Sequence, residues 1–263
     1  TQIAQPGGTM FVSNTDTLVA QIGGATQDVK RYNDGTSDWL LFSMANRFAA
    51  TKIGMTKSVV GEILVPGYIE RITTVTYGGK PYALLSMGNK GIGVVDMANP
   101  LGMTYLRTMT VAYAYGPVSY VDGGGNLVAD ALFTGTSGAV NDLLVDTKGT
   151  ATDESDDELL IANGDFGIQK TKLSNLMGAA AVDGALAIDG AQRFTLKYAG
   201  ENPWGAPQSL KMHSDGRLYA ALGFIGIAIY DPVDLARLGF YNLYTDTSTR
   251  EDWFGYPMRK PGD

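Results

Sequence analysis

Five of the six residues from Asp153 to Glu158 are carboxylates: Asp153, Glu154, Asp156, Asp157 and Glu158. Acidic side chains packed on a loop suit a hard cation such as calcium, which takes six to eight oxygen ligands. Asp153, Glu154, Asp156 and Asp157 are therefore candidate calcium ligands. The run lacks the alternate ligand spacing and sixth-position glycine of a helix–loop–helix calcium site. Its plainer reading, and the preferred one, is a solvated, self-repelling surface loop. Asp96 and Asp231 close two similar strands, where an aspartate can fix a turn by accepting backbone N–H groups. Metal or sugar binding at a rim is their functional alternative. Glycoside processing needs only a pair of carboxyl groups, and Asp142, Asp146, Asp165 and Asp231 are its candidates. His213 follows the strand Ser209-Leu210-Lys211-Met212 and precedes the turn Ser214-Asp215-Gly216. That context favours a turn-edge residue over an acid–base catalyst or a ligand to a partner's group.

Much other chemistry is excluded by composition. The chain of 263 residues has no cysteine and one histidine. Disulfides, thiol nucleophiles, cysteine-ligated zinc, iron–sulfur clusters and thioether-attached haem are ruled out. A metal site with several histidines from one chain is ruled out too. Gly123-Gly124-Gly125 lacks the lysine and helix of a phosphate loop, and no Gly-x-Ser-x-Gly elbow occurs. The net charge of −7 opposes a polyanionic partner, so nucleic acid and anionic membrane fit poorly. No apolar run approaches the roughly 20 residues of a membrane span. The first residue is Thr1 rather than Met, which suggests a processed or truncated form.

Aromatic side chains gather in two places. Tyr113, Tyr115 and Tyr120 form one group; Tyr241, Tyr244, Trp253, Phe254 and Tyr256 form the other. They read first as packing between sheets. A partner interface is the alternative, with Trp253, Phe254, Tyr256, Tyr113 and Tyr115 as its candidates.

The elements that must position these groups are short strands. Glycine is abundant, at 34 residues, and charged residues are only 18%, a profile of strands and tight turns rather than helical bundles. One phrase recurs: an alternating apolar strand, a Gly-rich turn, then Gly-Ile opening another strand. It occurs at Ser86–Asp96, Ala162–Ile168 and Leu222–Asp231. Trp39–Arg47 also lies over Tyr82–Lys90, with Val29 over Ile72 and Gly35 over Gly78 in the same register. The second unit reads as strands at Ile69–Tyr77, Pro81–Met87, Gly91–Asp96 and Met103–Val111. Four antiparallel strands in about 40–45 residues is the size of a propeller blade.

The fold expected is all-β: a single β-propeller domain over residues 1–263, built of four-stranded antiparallel blades. Five blades are favoured and six is the alternative. Insertions fall near 113–137, where Val118–Val121 and Leu127–Phe133 form an inserted hairpin or a worn blade, and near 172–204, where a helical turn and a long connection are expected. The N-terminal Met10–Asn14 and Leu18–Ile22 read as the last two strands of a closing blade. The C-terminal Phe240–Tyr256 would supply its first two, removing exposed sheet edges.

Gly91-Ile92-Gly93-Val94-Val95-Asp96, Gly226-Ile227-Ala228-Ile229-Tyr230-Asp231 and Leu159–Ile168 resemble the LVIVD repeat. The first unit departs from it with Phe48-Ala49 for Gly-Ile. The third has Lys170-Thr171-Lys172 where Asp would close the strand. The resemblance implies a propeller of exported proteins, some of which accompany surface or multihaem electron-transfer proteins; it carries no catalytic residues. The expected function is non-catalytic. The chain is read as an interaction or structural subunit of an extracellular, cell-surface or periplasmic assembly, with other proteins as partners and a multihaem cytochrome among the candidates. No cofactor is expected beyond candidate calcium. The alternative is a carbohydrate-binding or glycoside-processing propeller using rim carboxylates.

Overall fold

The computed structural model describes residues 2–5, 8–11, 26–54, 60–111, 113–121, 127–135, 139–150, 153–164, 167–178, 182–192, 207–223 and 226–241. They form an all-β structure with four sheets built on four antiparallel strands each, one of which gains a fifth, parallel strand at its edge. A hairpin of β1 (Gln2–Gln5) and β2 (Gly8–Phe11) comes first. Met10 and Phe11 thus pair back onto Ile3 and Gln2. The expected strand at Met10–Asn14 is instead, in its described part, one arm of a separate hairpin; Leu18–Ile22 lies outside the described residues.

The first sheet is β3 (Thr26–Asn33), β4 (Asp38–Met44), β5 (Arg47–Lys52) and β6 (Val60–Leu64). The second is β7 (Arg71–Tyr77), β8 (Lys80–Ser86), β9 (Ile92–Asp96) and β10 (Thr104–Val111). β11 (Tyr113–Val121) and β12 (Leu127–Gly135) pair only with each other among the described residues. The third sheet opens with β13 (Val140–Asp146), β14 (Glu158–Asn163) and β15 (Ile168–Lys172). A single helical turn, α1 (Leu173–Met177), follows, then β16 (Gly184–Leu186) and β17 (Gly190–Gln192). The fourth sheet is β18 (Ser209–Met212), β19 (Leu218–Ala221), β20 (Ile227–Tyr230) and β21 (Arg237–Tyr241).

The expected long connection after residue 172 is more than a connection. β17 completes the third sheet against β15. β16 crosses to the second sheet and pairs in parallel with β10, from Met109–Gly184 to Val111–Leu186. Arg107 of β10 is 4% exposed and donates from Nη2 to the carbonyls of Leu176, at 2.6 Å, and Met177, at 3.2 Å. Those are the last carbonyls of α1, which a helix end leaves without intrahelical donors. Asp189 also supplies the carboxylate that the third unit lacks at its strand end, accepting the Lys172 N–H at 2.8 Å.

The turn between the second and third strands repeats its backbone in every sheet. Ala45, Gly88, Gly164 and Gly223 have φ of 54°, 53°, 50° and 61°. Glycine is at ease in this left-handed region, whereas alanine is strained there. In the second sheet the Met87 N–H donates to the Gly91 carbonyl at 2.9 Å; in the first, Met44 pairs directly with Arg47. The first turn is one residue shorter. Arg47 therefore stands where Gly91 does, which explains the lost Gly-Ile phrase. Gly91 answers a second constraint, because a Cβ there would lie 2.2 Å from the Met109 carbonyl oxygen.

Alternation along each strand makes three cores between successive sheets. Trp39, Leu41, Phe48, Ile72, Leu85 and Val95 join the first sheet to the second. Leu84, Ile92, Val94, Leu143, Leu159 and Ile161 join the second to the third, closed below by Leu173, Leu176 and Leu186. Leu160, Ala162, Leu210, Leu218, Ala220 and Tyr230 join the third to the fourth. Each fully buried large apolar side chain contributes about 1.5–3 kcal/mol relative to exposure. A fourth cluster, Phe42, Met44 and Ala49, lies on the face of the first sheet turned away from the second. No helix among the described residues is long and apolar enough to cross a membrane.

Candidate functional site

The acidic run lies in the loop between β13 and β14. Turn geometry holds its exposed members. Asp153 accepts the Ser155 N–H at 3.0 Å and its hydroxyl at 2.6 Å, and the hydroxyl draws the Asp153 pKa down. Glu154 reaches into the second sheet, both oxygens accepting the Gly78 N–H, at 2.9 and 2.7 Å. The turn between β7 and β8 has no aspartate of its own, so the neighbouring sheet lends it a carboxylate. Asp156 accepts the Thr150 hydroxyl at 3.2 Å. Glu158 bridges two ammonium groups, Lys148 at 2.6 Å and Lys170 at 3.2 Å. Lys148 also reaches Asp146 at 2.7 Å. Burial opposes the Lys148 charge, but its two carboxylate partners prevail and its pKa rises.

Asp157 differs from the rest. It is 4% exposed, and its Oδ1 has no hydrogen-bond partner. Burial pushes its pKa up, and Asp156, Glu154, Asp146 and Asp153 push the same way. In the conformation seen, no three acidic side chains among the described residues are grouped as metal ligands.

The glycosidase candidates are committed to structure where they are described. Asp142 Oδ1 accepts its own neighbour's N–H, at Leu143, while Oδ2 accepts the Leu210 N–H at 2.8 Å and the Ser209 hydroxyl at 3.0 Å. Asp146 accepts the Lys148 N–H at 3.0 Å, and Asp231 the Val233 N–H at 2.8 Å. Asp96 does the same for Ala98 at 2.8 Å. Asp165 lies outside the described residues. His213 closes the β18–β19 hairpin, its N–H donating to the Arg217 carbonyl. Its exposed ring stands beside Asp215, with Nδ1 3.1 Å from Oδ1, and 5.4 Å from the Tyr219 ring centroid. Trp253, Phe254 and Tyr256 lie outside the described residues. Tyr113 and Tyr115 fall in β11, opposite Gly135 and Phe133.

Three groups carry weight that residue types alone do not reveal. Asp28 accepts the Ile72 N–H at 2.8 Å, as Asp142 accepts that of Leu210. Aligning Gln27-Asp28-Val29 with Asn141-Asp142-Leu143 is the signal that finds this pair. Asp34 accepts from the Trp39 indole at 2.7 Å, from both donors of Thr36, and from the Ser37 N–H; these hold its carboxyl well below the usual range. Lys30, on β3, has its pKa lowered by burial against the pull of Asp28 and Asp142, and feels the Lys211 charge as well.

No family model matches the chain, and no curated protein matches it either. Among solved structures it is similar to the crystal structure of Chaetomium thermophilum Raptor, at 11% identity and a TM-score of 0.43, over 88% of this chain and 21% of that one. It is also similar to a chain of a mitotic checkpoint complex, at 12% identity and a TM-score of 0.41, over 90% of this chain and 76% of that one. The chain thus spans about a fifth of the Raptor chain's length. At these levels neither likeness transfers a residue or an activity.

Proposed function

We propose that this chain is a β-propeller, five blades favoured, serving without catalysis as a protein-contact or structural subunit of an extracellular or cell-surface assembly. Two facts support the ring. Phe42 and Met44, on the outer face of the first sheet, are only 7% and 4% exposed, as a further blade packed there would make them. Lys30 of the first sheet feels Asp142 of the third and Lys211 of the fourth, as inner strands around one axis would arrange.

The observation that carries the non-catalytic reading concerns the rim carboxylates. Asp142, Asp146 and Asp231 are each engaged by backbone N–H groups of turns or of the next sheet. A general acid or nucleophile has to face substrate instead. The LVIVD resemblance points the same way.

The test is a mass measurement of the intact assembly isolated from the native source, with a parallel glycan-array and glycosidase screen. The expected result is recovery of the chain bound to other proteins and a silent screen. A Soret band in the recovered fraction is the expected signature of a multihaem partner. A chain recovered only as a monomer, or one that cleaves glycosides, overturns the reading.

A further inference from the structure

We propose that Asp153, Glu154, Asp156 and Asp157, between β13 and β14, bind a divalent cation of the calcium class, with buried Asp157 as its base. An acidic run alone is an ordinary solvated feature; the buried Asp157 carboxylate is what sets this one apart. Its Oδ1 has no donor, although the residue is 96% removed from solvent by its 4% exposure. A buried carboxylate oxygen without a donor is costly, and natural structures satisfy such groups with protein donors, water or an ion.

Lys148, the lysine of the loop, binds Asp146 and Glu158. The charges that reach Asp157 are all negative: Asp156, Glu154, Asp146 and Asp153. The backbone carbonyl of Asp157 accepts the Leu173 N–H at 2.8 Å, so the residue is anchored where the loop meets α1.

The other carboxylates are held only by hydrogen bonds at exposed positions. Asp153, Glu154 and Asp156 make exposed hydrogen bonds to a hydroxyl or a turn N–H. An arriving ion can exchange each of these for a stronger contact. Calcium accepts irregular oxygen shells completed by water, whereas magnesium demands a near-ideal octahedron and gives up water reluctantly. A buried carboxylate beneath exposed ones suits the former.

The experiment uses the whole chain, with calcium chloride as the probe, read by titration calorimetry and thermal melting. The expected result is one site per chain and a melting midpoint that rises with millimolar calcium, with a smaller rise for magnesium. Asp157→Asn is expected to abolish both signals and, without calcium, to melt no lower than the parent, since it removes a crowded charge. Asp153→Asn and Asp156→Asn, at exposed positions, should each weaken binding by about tenfold. Asp231→Asn, on another turn, should bind as the parent does. A parent chain that gives neither heat nor a melting shift overturns the proposal, as does an Asp157→Asn chain that still binds.

Discussion

Asp28 and Asp142 make the same joint in two different sheets. In each, Oδ1 accepts the N–H of the next residue at 2.9 Å, and Oδ2 accepts an N–H of the first strand of the following sheet at 2.8 Å. A register shift accompanies both, between Thr26 and Val29 and between Val140 and Asp142. Bulges of this kind re-aim a side chain out of the ladder. Asp142→Ala leaves the buried Leu210 N–H unpaired and is expected to cost about 3 kcal/mol; Asp28→Ala, at a more exposed joint, about 1 kcal/mol. Urea unfolding checks this through a lower midpoint at unchanged slope. Equal, negligible losses would show that the joints do not hold the sheets.

Two glycines of one turn should respond unequally to alanine. At Gly88 a Cβ meets nothing closer than Glu70 Oε1 at 4.0 Å, so only the left-handed backbone is penalised, by about 1 kcal/mol. At Gly91 the same methyl group collides with the Met109 carbonyl. Gly91→Ala should cost roughly 3 kcal/mol, because β9 has to move off β10. Ala45→Gly, relieving the only non-glycine in that turn series, should leave stability unchanged or raise it. Thermal and urea unfolding of the three variants would decide the order.

Asp34 gives a pH signature. Its folded pKa lies below that of the unfolded chain, so its stabilisation is complete above the unfolded carboxylate value of about 3.9 and is lost as pH falls towards the folded value. Asp34→Ala should be less stable than the parent at pH 7, with the gap closing only below about pH 4. A gap that is constant down to pH 2 would assign the effect to something other than the carboxylate charge.

Glu158 is the hub of a partly buried ion network with Lys148, Lys170 and, through Lys148, Asp146. Lys170 also donates to the Val233 carbonyl and so ties the third sheet to the fourth. Glu158→Gln should cost about 1 kcal/mol in dilute buffer, and less in 1 M salt as screening shortens the reach of the charges. Unfolding at the two ionic strengths provides the comparison.

The strands of the second sheet were legible to within two residues, because period-two alternation and glycine turns are local signals. Pro81–Met87 became Lys80–Ser86, and Met103–Val111 became Thr104–Val111. The placement of β16 was not legible. Three residues of modest hydrophobicity, Gly184-Ala185-Leu186, carry no mark of the sheet edge they join; that edge is selected by Leu186 entering the core between the second and third sheets. The acidic run was legible as a loop, but not its inequality. Asp157 looks like Asp156 in sequence, yet one is buried where its carbonyl meets the Leu173 N–H of α1 and the other is exposed. Asp142 is a carboxylate candidate in the sequence, but the joint that it and Asp28 make is hidden for a related reason, since a bulge leaves no compositional trace and only the alignment of the two segments points to it.

The excursion through α1 and β16 has a consequence for how the repeats can be handled. Because Gly184–Leu186 is hydrogen-bonded to β10 before the chain returns to finish its own sheet, the second and third modules are stitched like overlapping shingles. Neither can be lifted out, swapped or duplicated as a self-contained cassette without tearing the other, and a pulling experiment should see the two give way as one event.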